Sequence, residues 1–194
     1  TLLRNLTLAL LAACGPALAP AQPRFDFDRT PGHLSKAVQA PHQALTLDLD
    51  PDSDRFDGET TLTLTLRRPQ TELQVHAHQL TARRSVLVTT TGERALTVQA
   101  DDKTQTWRLL PTDGRPLPAG RATLHLAWSG RVQSTGSGLF RASEPAQGVG
   151  QRMLATQLQA VYARTVFPAF DEPAFRPRFA ITVRAPVGYQ VLSN

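Results

Sequence analysis

At 194 residues the chain suits one domain with appendages, long enough to bury roughly two thirds of its unfolded surface. Hydrophobic residues make up 41%, with 12 Gly and 15 Pro, which excludes a disordered or collagen-like chain. The formal net charge of +5 is carried almost wholly by arginine, Lys36 and Lys103 being the only lysines. These arginines are scattered apart from the pairs Arg67-Arg68 and Arg83-Arg84, so they read as solvated surface and no nucleic-acid partner is expected.

Residues 1–19 read as an export signal: Arg4 precedes the apolar run Leu6–Ala13, which is far shorter than the roughly 18 residues a bilayer span needs. Two cleavage readings stand side by side. Ala17-Leu18-Ala19 is a small-x-small site, whereas Leu11-Ala12-Ala13-Cys14 resembles a bacterial lipobox, which would make Cys14 the lipidated first residue. Cys14 is the single cysteine, so no internal disulfide can form. The expectation is an exported bacterial protein, periplasmic or held to a membrane by a lipid on Cys14.

Residues 20–42 hold Pro20, Pro23, Pro31 and Pro41 without sustained periodicity, which suits a linker. A folded domain is expected over 43–194. There the pattern turns to strict alternation, with Leu45, Leu47 and Leu49 on one face, then Leu62, Leu64 and Leu66 separated by threonines; period two predicts strands. The turn-rich stretch Pro51–Gly58 between them predicts antiparallel neighbours. Further strands are predicted at Leu73–His76, Ser85–Thr90, Ala95–Gln99, Thr106–Leu110, Ala122–Trp128, Gln151–Gln159 and Arg178–Ala185, with a looser connection through Gly136, Gly138 and Gly148. No segment carries a helical stripe. The fold class is all-β, a twisted antiparallel β-sandwich or saddle-like sheet assembly.

Few residues offer chemistry of their own. His76 and His78, two apart on a strand, would share a face and reach one metal, with His125 as a third ligand of unassigned geometry. Against that stands the plain reading of His76 as a packed strand residue, and no metal site is expected in this segment. Asp171-Glu172 looks like an acid-base pair, but adjacent residues seldom face one cavity; beside Pro168 and Pro173 they read as locks on a tight turn. Ser134–Gly138 has spaced glycines without a following helix or lysine, so it is no phosphate loop. Nucleophile triads fail for want of a suitably placed serine or cysteine. Gln157 and Gln159 lie on one face of their predicted strand, where an amide oxygen can accept from an ammonium group.

Taken in order, Phe56-Asp57-Gly58-Glu59, Val75-His76-Ala77, Gly138-Leu139-Phe140-Arg141, Thr156-Gln157-Leu158-Gln159, Ala163-Arg164 and Phe167–Pro173 resemble the N-terminal domain of zinc aminopeptidases of the aminopeptidase N, or alanyl aminopeptidase, type, to which leukotriene hydrolase is related. The resemblance covers the chain from about Ala44. Ala169 stands where the family commonly has cysteine, Val75 for Leu and Phe140 for Tyr.

The resemblance implies a zinc-dependent peptidase that removes N-terminal amino acids from peptides, with zinc as cofactor held outside this segment by a His-Glu-x-x-His motif and a downstream Glu. It implies that the catalytic domain follows beyond Asn194 as this domain's partner, that the present segment is inactive alone, and that Gln159 binds the substrate's free amino end with Ala160 lining the same rim. The contrasting expectation is a β-sandwich binding module without catalytic activity.

Overall fold

In a computed structural model, which describes residues 24–143 and 152–193, the chain is built from ten strands and one 3-10 turn. In chain order they are β1 (Val38–Asp48), β2 (Arg55–Leu66), β3 (Leu73–His76), β4 (Thr81–Thr89), β5 (Gly92–Asp101), β6 (Thr106–Pro111), β7 (Gly120–Arg131), β8 (Gly138–Ser143), β9 (Arg152–Gln157) and β10 (Arg178–Arg184), with the 3-10 turn at Ala163–Thr165. Eight strands form one sheet in the order β10-β1-β2-β7-β4-β5-β6-β3, and β8 and β9 form a separate hairpin. The all-β class expected from the alternation is present.

Alternation explains the core. Leu62, Leu64 and Leu66 of β2 face inward beside Leu124, Leu126 and Trp128 of β7, while the intervening threonines face outward or toward the rim. In β1 the parity changes: Val38 and Ala40 are buried, then Gln43, Leu45 and Leu47. The register shift between Gln39 and His42, at Pro41, accounts for this, since a bulge inserts one residue and turns the following side chains to the other face. All neighbouring pairs are antiparallel except β1 with β10, which run parallel after a long connection.

A single relationship shows that the sheet curls over on itself. Gln43 of β1 donates from Nε2 to the carbonyl of Pro168 at 3.0 Å, and the next residue, Ala169, exchanges backbone hydrogen bonds with His76 of β3 at 2.8 and 3.0 Å. In the sheet order β3 is six steps from β1. A flat sheet would hold these strands about 29 Å apart, yet two consecutive residues touch both. The segment Phe167–Pro173 therefore closes the mouth of the curled sheet, and its Phe167, Ala169 and Phe170 join the same core cluster as Leu45, Leu62, Trp107 and Leu124. The two facing layers come from one folded-over sheet.

Two sequence expectations change. The folded body begins before Gln43: β1 starts at Val38, Leu34 is 3% exposed, and Phe27 packs edge-on against Phe175 at 5.2 Å between centroids. Residues 34–42 are thus part of the domain, because Leu34, Ala37 and Val38 supply apolar surface that a linker would leave in water. The connection after Gly130 is also more ordered than its glycines suggest, for β8 starts at Gly138 and buries Leu139. Gly138 itself sits at φ 68, and a Cβ there would stand 2.5 Å from Thr165 Oγ1, so glycine is needed where β8 meets the 3-10 turn. No helix among the described residues is long and apolar enough to cross a membrane.

Candidate functional site

The candidate residues gather where the β8–β9 hairpin leads into the 3-10 turn. β9 ends at Gln157, so Gln159 lies in the following turn and not on the strand expected to reach it. The local cause is visible: the side-chain Oε1 of Gln157 accepts the main-chain N–H of Gln159 at 3.2 Å, and the N–H of Tyr162 donates to the carbonyl of Leu158 at 3.0 Å, which bends the chain out of the ladder. Gln157 and Gln159 therefore do not share a strand face. The Gln157 amide is occupied with the backbone, while Gln159 and Ala160 are exposed, joined by a cis peptide bond, and the Gln159 side-chain amide has no hydrogen-bond partner among the described residues.

Below this turn Arg164 is 9% exposed and fully engaged. Its Nε donates to Asp171 Oδ2 at 2.9 Å, Nη2 to the Asp171 carbonyl at 3.2 Å and Nη1 to Gln105 Oε1 at 3.2 Å. Its own carbonyl accepts from the N–H of His78 at 2.8 Å. One guanidinium thus ties the turn to the closing segment and to the β5–β6 connection.

The acidic pair faces two ways. Asp171 serves Arg164, whereas Glu172 turns to the N-terminal segment, its Oε1 accepting from the N–H of His33 at 2.6 Å and of Leu34 at 3.0 Å. Lys36 Nζ lies 4.0 Å from Glu172 Oε2 and between the rings of Phe27 and Phe175, at 5.2 and 5.0 Å from their centroids. The two carboxylates thus bind different parts of the fold, Asp171 the Arg164 guanidinium and Glu172, through Oε1, two main-chain amides, which agrees with their reading as locks. The partner that sequence reasoning missed is the stretch around His33, more than a hundred residues away in the chain and without any local signal.

The histidines do not converge. His76 is 5% exposed in β3, and burial, with the Arg164 charge adding to it, holds its imidazole below the ordinary value of 6.5. His78 lies past the end of β3, 4.0 Å from Asp102, and His125 on β7 bonds Thr61 Oγ1 through Nδ1 at 3.0 Å. No group of three or more His, Cys, Asp or Glu among the described residues is placed to hold a metal. The donor set for zinc does not fit here, and no metal chemistry is assigned to these residues. Cys14 lies outside the described residues.

Two cavities flank the turn. A polar one of about 260 Å³ is lined by His78, Gln79, Gln105, Gln133 and Tyr162 among others. A larger, open one of about 1110 Å³ is mainly apolar, with Leu45, Leu47, Met153, Phe167 and Ile181 along it. Sequence reasoning found neither, because Gln79, Gln105 and Gln133 come from three separate connections.

The chain is 32% identical over 195 residues to aminopeptidase N of Acetobacter pasteurianus, covering 98% of this chain and 53% of that protein. It is 28% identical to puromycin-sensitive aminopeptidase of Caenorhabditis elegans over 95% of this chain and 19% of the relative, and 29% identical to aminopeptidase M1-C of Oryza sativa subsp. japonica over 92% and 20%. The chain therefore spans about half the length of the first of these relatives and about a fifth of the other two. The Peptidase M1 N-terminal domain family matches residues 39–194, a range that starts one residue into β1 and takes in the closing segment and the Gln159 turn, and the chain belongs to that family.

Proposed function

We propose that this domain serves a zinc-dependent, exported aminopeptidase that removes N-terminal amino acids from peptides, and that Gln159 helps to recognise the free amino end of the substrate. The supporting observation is the division of labour between the two glutamines: Gln157 spends its amide oxygen on the Gln159 backbone, and that bond holds Gln159 outward with its own amide uncommitted. An amide oxygen accepts from an ammonium group without adding a titratable base, and a fixed acceptor sets the distance from the amino end to the scissile bond. Ala160, exposed beside it, leaves room at the rim.

In this reading zinc and the general base belong to a catalytic domain outside the segment, and the segment by itself has no peptidase activity. The names of the relatives, aminopeptidases all three, favour it over a binding module. Export rests on the Leu6–Ala13 run, and lipid attachment on Cys14; mass spectrometry of the mature N-terminus decides between a lipidated Cys14 and a cut after Ala19.

The decisive experiment for the site is Gln159→Ala in the full-length protein. Loss of a charge-assisted hydrogen bond lowers kcat/KM by roughly 1–3 kcal/mol, and Gln159→Glu retains recognition of the ammonium. Unchanged catalytic efficiency in Gln159→Ala removes the assigned role, and turnover by the isolated segment with added zinc removes the claim that catalysis lies outside it.

A further inference from the structure

We propose that the polar cavity of about 260 Å³ beside the Gln159 turn binds the main chain of a peptide beyond its first residues. This rests on the aminopeptidase reading above and extends it from the amino end of the substrate to its body. The cavity adjoins the turn directly, since Val161 and Tyr162, which follow Gln159 and Ala160 in the chain, form part of its wall.

The chemistry of the wall selects the ligand. Three side-chain amides, Gln79, Gln105 and Gln133, stand with the His78 imidazole and the hydroxyls of Thr135, Ser137, Tyr162 and Thr165, and no carboxylate, lysine or arginine lines the space. Such a surface offers both hydrogen-bond donors and acceptors, which is what a peptide backbone needs. A cationic ligand would be desolvated there without a carboxylate in the wall to offset it.

The internal hydrogen bonds leave one set of groups over. Gln133 Nε2 donates to Gln79 Oε1 at 3.4 Å and to the Arg131 carbonyl at 3.3 Å, while Arg164 Nη1 donates to Gln105 Oε1 at 3.2 Å. The oxygens of Gln79 and Gln105 are thus engaged from within the protein. Their NH₂ groups, the Tyr162 hydroxyl and the Gln133 Oε1 have no partner among the described residues, so the cavity presents donors suited to peptide carbonyls and an acceptor suited to a peptide N–H.

A second observation is independent of the lining. Gln79, at φ 58, and Gln105, at φ 55, are the two non-glycine residues with positive φ among the described residues, and both wall this cavity. Left-handed backbone is unfavourable for a residue with a Cβ, and where it persists it clusters at sites that need a side chain in one particular place. The one hydrogen bond of the Gln79 side chain among the described residues comes from Gln133, which lines the same cavity; Gln79 is otherwise exposed and follows β3.

The test uses the full-length protein and two substrates with the same N-terminal residue, a chromogenic aminoacyl anilide and a hexapeptide. Gln79→Ala combined with Tyr162→Phe raises KM for the hexapeptide by about five- to tenfold per lost hydrogen bond, with kcat for both substrates and KM for the anilide unchanged. Gln79→Gly, which suits the left-handed backbone, carries the same test should the alanine variant unfold at lower temperature. An unchanged hexapeptide-to-anilide ratio overturns the proposal, as does an equal loss on both substrates.

An N-acetylated pentapeptide, which lacks a free amino end, separates this claim from the reading it rests on. Its binding should shift the side-chain amide NMR signals of Gln79 and Gln105 even if Gln159 proves to have no part in the reaction. Absence of those shifts at millimolar peptide, or shifts produced by malto-oligosaccharide and not by peptide, rejects the site as a peptide-binding one.

Discussion

Arg164 and Asp171 are joined twice, through the carboxylate at 2.9 Å and through the main-chain carbonyl at 3.2 Å, and this double link fixes the Gln159 turn to the segment that closes the sheet. The N–H of Phe167 adds a bond to the Ala163 carbonyl at 3.0 Å, and Trp128 Nε1 holds the Val166 carbonyl at 3.0 Å. The position of Gln159 relative to the core thus depends in part on a side chain five residues further on, which places the ion pair upstream of any recognition that Gln159 performs.

Breaking that link leaves a charge with little access to water, since the two side chains are 11% and 20% exposed. Arg164→Lys keeps the charge but loses the planar fork that serves Asp171 and Gln105 together. A loss of about 1–3 kcal/mol in unfolding free energy is expected for Arg164→Lys or for Asp171→Asn, after allowance for partial exposure. Urea denaturation of both single variants and of the double variant checks this, for the paired residues should show losses that do not add.

His76 sets a pH dependence. Its folded-state pKa lies below the ordinary 6.5, chiefly because it is buried and secondly because Arg164 is near, so between the two values the unfolded chain binds a proton that the native state rejects. Its contribution to stability is full above 6.5 and is lost as pH falls from 6.5 toward the depressed value. Denaturation midpoints at pH 8, 6.5 and 5 are expected to fall more steeply for the unaltered chain than for His76→Gln. Parallel curves would show that the titration lies elsewhere.

Much of this fold was legible because alternation is a local signal. Leu62, Leu64 and Leu66 announce both a strand and its buried face, and the bounds of β3 follow from Leu73, Val75 and His76 as read. What stayed hidden depends on distant partners. Leu34 is buried where Glu172 holds the chain beside the core, and no property of residues 24–37 alone distinguishes them from a proline-rich linker. Curling is likewise invisible in any one strand, since it shows only in Pro168 and Ala169 touching β1 and β3. For the site, Gln159 could be named from the family motif, but its release from β9 by the Gln157 side chain could not.

Glu172 gives a third expectation. Its Oε1 accepts two main-chain N–H groups that no other acceptor among the described residues serves, and its Oε2 faces Lys36. Glu172→Ala orphans both amides and leaves the Lys36 ammonium with only the two phenylalanine rings. A loss of about 2–3 kcal/mol follows, concentrated in the N-terminal segment. Hydrogen exchange at His33 and Leu34 should accelerate well beyond that of Leu62 or Leu124, and uniform acceleration across the sheet would contradict the assignment of Glu172 as a local clasp.

Gly58, in the Phe56-Asp57-Gly58-Glu59 run, marks a close approach of two strands within the core. The indole of Trp128 on the neighbouring strand lies over it, and a Cβ would overlap Cζ2 and stand 2.7 Å from Cε2. Trp128 has little freedom to withdraw: it is fully buried, and its Nε1 donates to the Val166 carbonyl at 3.0 Å, just beyond the 3-10 turn. Gly58→Ala therefore displaces either the indole or β2 and costs about 1–3 kcal/mol through overpacking. Moving the indole also strains the bond to Val166, so the near-ultraviolet circular dichroism of Trp128 should change together with the thermal midpoint. Adding Trp128→Phe, which shortens the ring over Gly58, should make the alanine nearly neutral in that background, and a full additive loss in the double variant would show that the cost of the methyl group arises somewhere other than this contact.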